Sequence, residues 1–191
     1  MKSSAGVYLW QGLWRVHPEY VGGADSIASL PVTCLAEDVD DLTLGQAIRA
    51  ALAASAQIRT EPSERVVAAV LKELGDGSWR TLELEALLVL VYSTGGSIRI
   101  LPMHAFADPV EREYGWRGEH STRLPMTVGD ADLGRAVRDG AVASSQHTHE
   151  RPVVERELAR MRFWSRVDLV LYCLLAVAVV AVLVTVWRLR S

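Results

Sequence analysis

Cysteine is nearly absent: Cys34 and Cys173 are the two in the chain, and the second lies inside a long apolar run. They cannot pair without dragging one region onto the other, so there is no disulfide framework, which agrees with a reducing compartment. A secretory signal is also missing, because one lysine is followed by SSAGVYLWQGLW, without a continuous apolar core or a small-residue cleavage site. The glycine pairs Gly22-Gly23 and Gly95-Gly96 have neither a following Lys-Ser/Thr nor GxGxxG spacing, and read as turns rather than phosphate cradles. His147, His149 and Glu150 sit in a polar stretch with no spaced third and fourth ligands, which argues against a metal site. His17, His104 and His120 occur singly and read as packing residues, Cys34 reads as a small hydrophobe, and no nucleophile has an evident base partner. The expectation is a protein with no catalytic residues, no metal and no cofactor.

What the sequence does have is one uninterrupted apolar segment. Leu169 to Trp187, LVLYCLLAVAVVAVLVTVW, carries no charge and no proline. As a helix it would span roughly 28 Å, close to the hydrocarbon thickness of a bilayer. Its leucines and valines together favour insertion by about 5 kcal/mol. Five arginines precede it (Arg151, Arg156, Arg160, Arg162, Arg166) and two follow (Arg188, Arg190), so the positive-inside rule keeps the N-terminal part in the cytoplasm. Trp164 and Trp187 stand at headgroup level. The expected organisation is a cytosolic domain over 1–145, a polar linker over 146–153, and a basic stalk with a single transmembrane anchor over 154–191, at the cytoplasmic membrane. Residues 1–150 hold 13 Lys/Arg against 20 Asp/Glu, whereas 151–191 hold 7 against 3. An acidic head on a basic stalk argues against direct nucleic-acid binding.

The head reads as an α+β domain, an antiparallel or mixed sheet with packed helices. Tyr8–Val16 and Leu30–Leu35 read as strands, and Ala86–Ser93 with Ser97–Met103 as a hairpin turning at Gly95-Gly96. Thr43–Ile58 reads as a helix capped by Thr43 with Gln46 in capping-box spacing. Pro62–Leu74 reads as a second helix stopped by Gly75. Thr81–Leu88 suits strand and helix equally, Leu124–Val128 reads as a strand, and Asp132–Ser144 as a third helix.

An internal repeat links two of these helices. Val39–Ser55 aligns without gaps on Val128–Ser144, with eight of seventeen positions identical. Leu44, Gly45 and Ala47 fall on Leu133, Gly134 and Ala136, and Thr43 falls on Asp132. A glycine in a first turn costs about 1 kcal/mol relative to alanine, so it needs a reason, and close approach of another backbone is the usual one. Each copy also follows an LPxT tetrapeptide, Leu30–Thr33 or Leu124–Thr127, at unequal distances. Two similar strand-to-helix units packed together are expected.

The succession of LGxAxxxAxxxS after an acidic loop, SIRILPMH, Gly115-Trp116-Arg117-Gly118, LPMT and a second LGxAxxxxxxxS resembles the immunity proteins of bacterial contact-dependent growth inhibition, over Tyr8 to Ser144. The resemblance implies a small cytosolic protein that binds a toxin domain delivered by a neighbouring cell, often a nuclease, and blocks it without catalysis. Two departures stand out: Ala143-Ser144-Ser145 where that pattern would have a cysteine, and the added membrane tail. A basic toxin would meet an acidic surface, which raises on-rate and selectivity. The densest acidic runs are Glu37, Asp38, Asp40 and Asp41, and Asp108, Glu111 and Glu113. The alternative is that these carboxylates oppose helix dipoles or are simply solvated. The expected partners are thus a protein toxin domain and, through the tail, the lipid bilayer, with no small-molecule substrate. A tail-anchored adaptor recruiting another protein is the competing class.

Overall fold

The computed structural model describes residues 2–22, 25–75, 82, 85–107, 114–118, 121–145, 156 and 159–160. The chain divides into two compact units, 1–106 with 116–151, and 107–115 with 152–191. In the second, residues 156, 159 and 160 are helical, within the stretch read as the stalk. The 169–187 run and the 146–153 linker lie outside the described residues. Among the described residues, no helix is long and apolar enough to cross a membrane.

The elements are β1 (Ser3–Trp10), β2 (Leu13–Gly22), β3 (Asp25–Ala28), β4 (Thr33–Ala36), α1 (Asp41–Ser55), α2 (Glu64–Leu74), β5 (Leu87–Thr94), β6 (Ser97–Ala107), β7 (Tyr114–Gly118), β8 (Thr122–Pro125) and α3 (Asp130–Ser145). One sheet runs β3-β2-β1-β5-β6-β7, with β4 also on β2 and β8 also on β6. That order is a palindrome. At its centre β1 and β5 run antiparallel, with Val7 opposite Val89, Ala5 opposite Val91 and Gly6 opposite Leu90. A pseudo-twofold axis through the Gly6–Leu90 pair relates a first half, β1 to α1, to a second, β5 to α3.

The ladders obey that axis residue by residue. β4 pairs with β2 through Trp14–Leu35 and Val16–Thr33, and β8 pairs with β6 through Ile98–Leu124 and Ile100–Thr122. The Glu37 N–H donates to the Gly12 carbonyl at 3.0 Å, and Met126 N–H to Gly96 at 3.1 Å. Ser55 Oγ donates to Glu19 O at 2.6 Å and Ser144 Oγ to Met103 O at 2.5 Å, each tying a helix end to its own hairpin. The expectation of two similar strand-to-helix units is therefore met, and each unit includes a whole hairpin.

Strand alternation sends Ala5, Val7, Trp14, Val16, Val89, Val91, Ile98 and Ile100 to one face, where α1 and α3 cover them with Leu44, Ile48, Leu133 and Val137. The other face carries Tyr8, Trp10, Leu88, Leu90 and Met103 under Val70 and Leu74 of α2. Each fully buried aliphatic side chain contributes about 1.5–3 kcal/mol of gross burial energy. α1 and α3 cross at Gly45 and Gly134. A Cβ on Gly45 would overlap the Asp130 carbonyl, and one on Gly134 the Asp41 carbonyl. Close backbone approach is the reason for both glycines.

Several sequence expectations are corrected. Tyr8–Val16 is two strands, because Gln11 (φ 51°) and Gly12 (φ 71°) make a tight turn. The first helix starts at Asp41, with Asp40 rather than Thr43 as its cap: the Asp40 carboxylate accepts from Thr43 N at 2.8 Å and from Thr43 Oγ1 at 2.9 Å. The third helix starts at Asp130, so Asp132 lies inside it. The LPxT tetrapeptides are not equivalent, since Leu35 and not Leu30 corresponds to Leu124. Leu30–Leu35 reduces to a strand over Thr33–Ala36, in which Cys34, read as a small hydrophobe, is exposed. Leu82 and Glu85 in the ambiguous stretch are helical, and strand begins at Leu87.

Candidate partner-binding surface

α1 and α3 each begin at a short loop, the mouth of its half, and each mouth is held by an arginine from the opposite half. Arg138 on α3 donates from Nε to Asp41 Oδ1 at 3.0 Å, from Nη1 to Glu37 O at 3.0 Å, and from Nη2 to Val39 O. Arg49 on α1 donates from Nε to Asp130 Oδ1, from Nη2 to Val128 O, and from Nη1 to Met126 O at 3.4 Å. All three nitrogens are used in both cases. A guanidinium suits this role because its fixed fork meets a carboxylate and carbonyls together, where an ammonium could not. Arg49 and Arg138 are identical residues in the repeat, but sequence reasoning assigned them nothing.

The clasps decide what the acidic residues can do. Of the first run, Asp40 is the helix cap, its carboxyl held below the usual range first by the Thr43 N–H and then by the Thr43 hydroxyl. Asp41 is engaged by Arg138 and, at 3.4 Å, by Arg135. Glu37 and Asp38 remain exposed, and among the described residues neither makes an ion pair. The structure therefore places the four residues together at one mouth but separates two structural carboxylates from two available ones. Asp108, Glu111 and Glu113 lie outside the described residues. Leu44 and Leu133 are buried with Gly45 and Gly134, and Ala47 and Ala136 pack against the same core.

The two mouths share a backbone and differ in side chains. Met126 and Thr127 stand where the first half has Glu37 and Asp38. Trp14 lies beneath the first mouth, its Nε1–H donating to Glu37 O at 3.1 Å and its ring 5.5 Å from the Arg138 guanidinium. Its counterpart below the second mouth is Ile98. Beside the second mouth a groove of about 670 Å³ is lined by Ser3, Leu52, Ala53, Ala56, Ser93 and Met126. At the sister position across the axis stand Leu9 and Leu87, which pair across β1 and β5 as Ser3 and Ser93 do.

Beneath α2 lies a buried polar group that sequence reasoning treated only as packing. His17 stacks on Tyr8 at 5.8 Å, places Nδ1 3.1 Å from Pro18 O as the donor, and turns Nε2 against Gly6 with no partner among the described residues. Glu19 beside it accepts from the Ser4 hydroxyl at 2.5 Å. Burial lowers the His17 pKa, against the opposing pull of the Glu19 charge. Burial and the same charge raise that of Tyr92. A neutral buried histidine stabilises the fold fully above its unfolded pKa of about 6.5. That contribution declines as the pH falls below this value, and it is gone once the pH passes below the folded pKa. Urea unfolding at pH 7.5 and pH 5.5 is expected to show lower stability at the acidic pH, by up to about 1.4 kcal/mol per pH unit in that window. The difference should shrink in His17→Gln. His104 and His120 lie outside the described side chains.

Fold and surface together define a duplicated α+β domain that displays a pair of available carboxylates on a braced loop. The family model for the CDI immunity protein, CdiI, matches residues 15–144, and the chain belongs to that family. Two solved structures share its fold. One is a protein of unknown function from Neisseria meningitidis, 17% identical, with a TM-score of 0.56 over 75% of this chain and 94% of that one. The other is a chain of the CdiA-CT/CdiI toxin and immunity complex from Yersinia pseudotuberculosis, 18% identical, with a TM-score of 0.55 over 75% and 97%. No curated protein matches the sequence.

Proposed function

We propose that this chain is an immunity protein that binds and neutralises a cognate toxin domain delivered by contact-dependent growth inhibition, without catalysis. Membership of the CDI immunity family over residues 15–144 carries the reading, and the likeness in fold to a chain of a toxin and immunity complex agrees with it. The toxin meets the first mouth, where Glu37 and Asp38 offer negative charge to a basic surface such as that of a nuclease. Residues 169–187 anchor the chain in the cytoplasmic membrane with the domain on the cytoplasmic side, a reading that rests on hydropathy and flanking arginines. Confinement there raises the concentration an entering toxin meets.

The test is survival of cells expressing the toxin domain encoded beside this chain's gene, with and without this protein, together with co-purification of the two. Rescue and co-purification support the reading; neither occurring rejects it. The double substitution Glu37→Lys with Asp38→Lys is expected to weaken toxin binding by about tenfold or more, because like charges then face each other across the contact. Biolayer interferometry at two salt concentrations measures this. An unchanged affinity would remove the first mouth from the interface.

A further inference from the structure

We propose that Arg138 is a positioning residue for toxin recognition, holding from the opposite half of the repeat the loop that carries Glu37 and Asp38. The proposal rests on the immunity reading above. The loop is fixed from several sides at once: the Glu37 N–H donates to Gly12 O, the Glu37 carbonyl accepts from both Trp14 Nε1 and Arg138 Nη1, and the Val39 carbonyl accepts from Arg138 Nη2. Asp41, at the first turn of α1, takes the remaining Arg138 nitrogen. The N–H and carbonyl of both Glu37 and Val39 are thus engaged, the Val39 N–H on Ala36 O, while the Glu37 and Asp38 side chains stay outside, exposed. A loop braced in this way loses little conformational freedom on binding, so more of its interaction energy appears as affinity.

Arg138 also stacks over Trp14, which gives its guanidinium plane one orientation. Lysine at this position would keep a positive charge near Asp41 but lose the fork that grips the two carbonyls. The loop would then sample conformations in which Glu37 and Asp38 do not converge, and apparent affinity falls by the fraction of competent molecules.

The pseudo-twofold axis supplies an internal control. Arg49 makes the matching contacts to Asp130, Val128 and Met126, but its mouth carries Met126 and Thr127 in place of the carboxylates. Arg138→Lys and Arg49→Lys remove matching hydrogen-bond forks, and Arg138→Lys also loses the stacking on Trp14, so affinity is compared at a temperature where thermal melts show both variants fully folded. The experiment measures the Kd of the full chain and of each variant for the toxin domain encoded beside its gene. Amide exchange at Glu37 and Val39, the hydrogen-bonded amides of the loop, is followed in parallel in the free proteins. Arg138→Lys is expected to weaken binding ~10-fold and speed exchange at the Glu37 and Val39 amides, while Arg49→Lys stays within about twofold of the parent. Equal effects of the two substitutions, no effect of Arg138→Lys, or a loss confined to Arg49→Lys would each overturn the proposal, the last by moving recognition to the second mouth. If the unaltered chain does not bind the toxin domain, the immunity reading itself fails, and the proposal falls with it.

Discussion

Replacing Gly45 with alanine is expected to destabilise the domain by about 3 kcal/mol or more, a cost at the upper end of that for overpacking. For a chain of this size that lowers the melting temperature by about 6–12 °C. On helix propensity alone the change would be favourable by about 1 kcal/mol, so the sign of the effect is the diagnostic. The sign reverses because the new methyl group would meet the Asp130 carbonyl, a backbone atom that cannot rotate away. α1 and α3 must then separate, stretching the Arg49 and Arg138 clasps that flank the crossing. Gly134→Ala should cost about the same, since its Cβ would meet the Asp41 carbonyl. The double substitution should cost less than the sum, because a crossing already opened by one methyl accommodates the second. Urea unfolding followed by circular dichroism checks all three, with Gln46→Ala, at an exposed site one residue away, as the near-neutral control.

Trp14→Ala is expected to cost about 3–5 kcal/mol, the usual penalty for emptying a large buried aromatic site. The ring is 1% exposed and lies in the core between the sheet and the helices. Two further contacts disappear with it, the indole N–H on Glu37 O and the face against which Arg138 rests. The substitution therefore links the core to the first mouth. Trp14→Phe separates the two roles: it keeps most of the packing and loses the hydrogen bond, so it should cost about 1 kcal/mol. Calorimetric unfolding of the three proteins decides the matter; equal stability of the Ala and Phe variants would show that the ring itself carries little of the packing.

The geometry behind both expectations is only partly legible in the residue string. The repeat over Val39–Ser55 and Val128–Ser144 was legible because helix starts and a close crossing demand particular small and apolar residues at fixed spacing. Gly45 and Gly134 announced a backbone contact without naming its partner. The identity of Arg49 with Arg138 was equally plain but meant nothing alone, since the carbonyls Arg138 holds lie about a hundred residues away. The β1–β2 hairpin was hidden for a local reason: Gln11 in the left-handed region is not a turn signal, and Trp10 and Leu13 continue the apolar run across it. The start of α1 was ambiguous because Asp40 and Thr43 are both good caps. The tertiary grip on Val39 and Asp41 favours the frame in which Asp40 caps.

The sequence by itself determined the class of the head, the existence of two related helices, the cause of their glycines and the apolar character of the tail, since each of these is written in composition or short-range periodicity. Only the tertiary structure decided that the first half opens with a complete hairpin as the second does, that the halves turn about the Gly6–Leu90 pair, and that two of four neighbouring carboxylates are structural while Glu37 and Asp38 stay available. The engagement of Asp41 depends on Arg138 reaching across the axis from the other half. Contacts between groups so far apart along the chain leave no local pattern, and they take effect only when folding brings the two mouths beside the opposite helices.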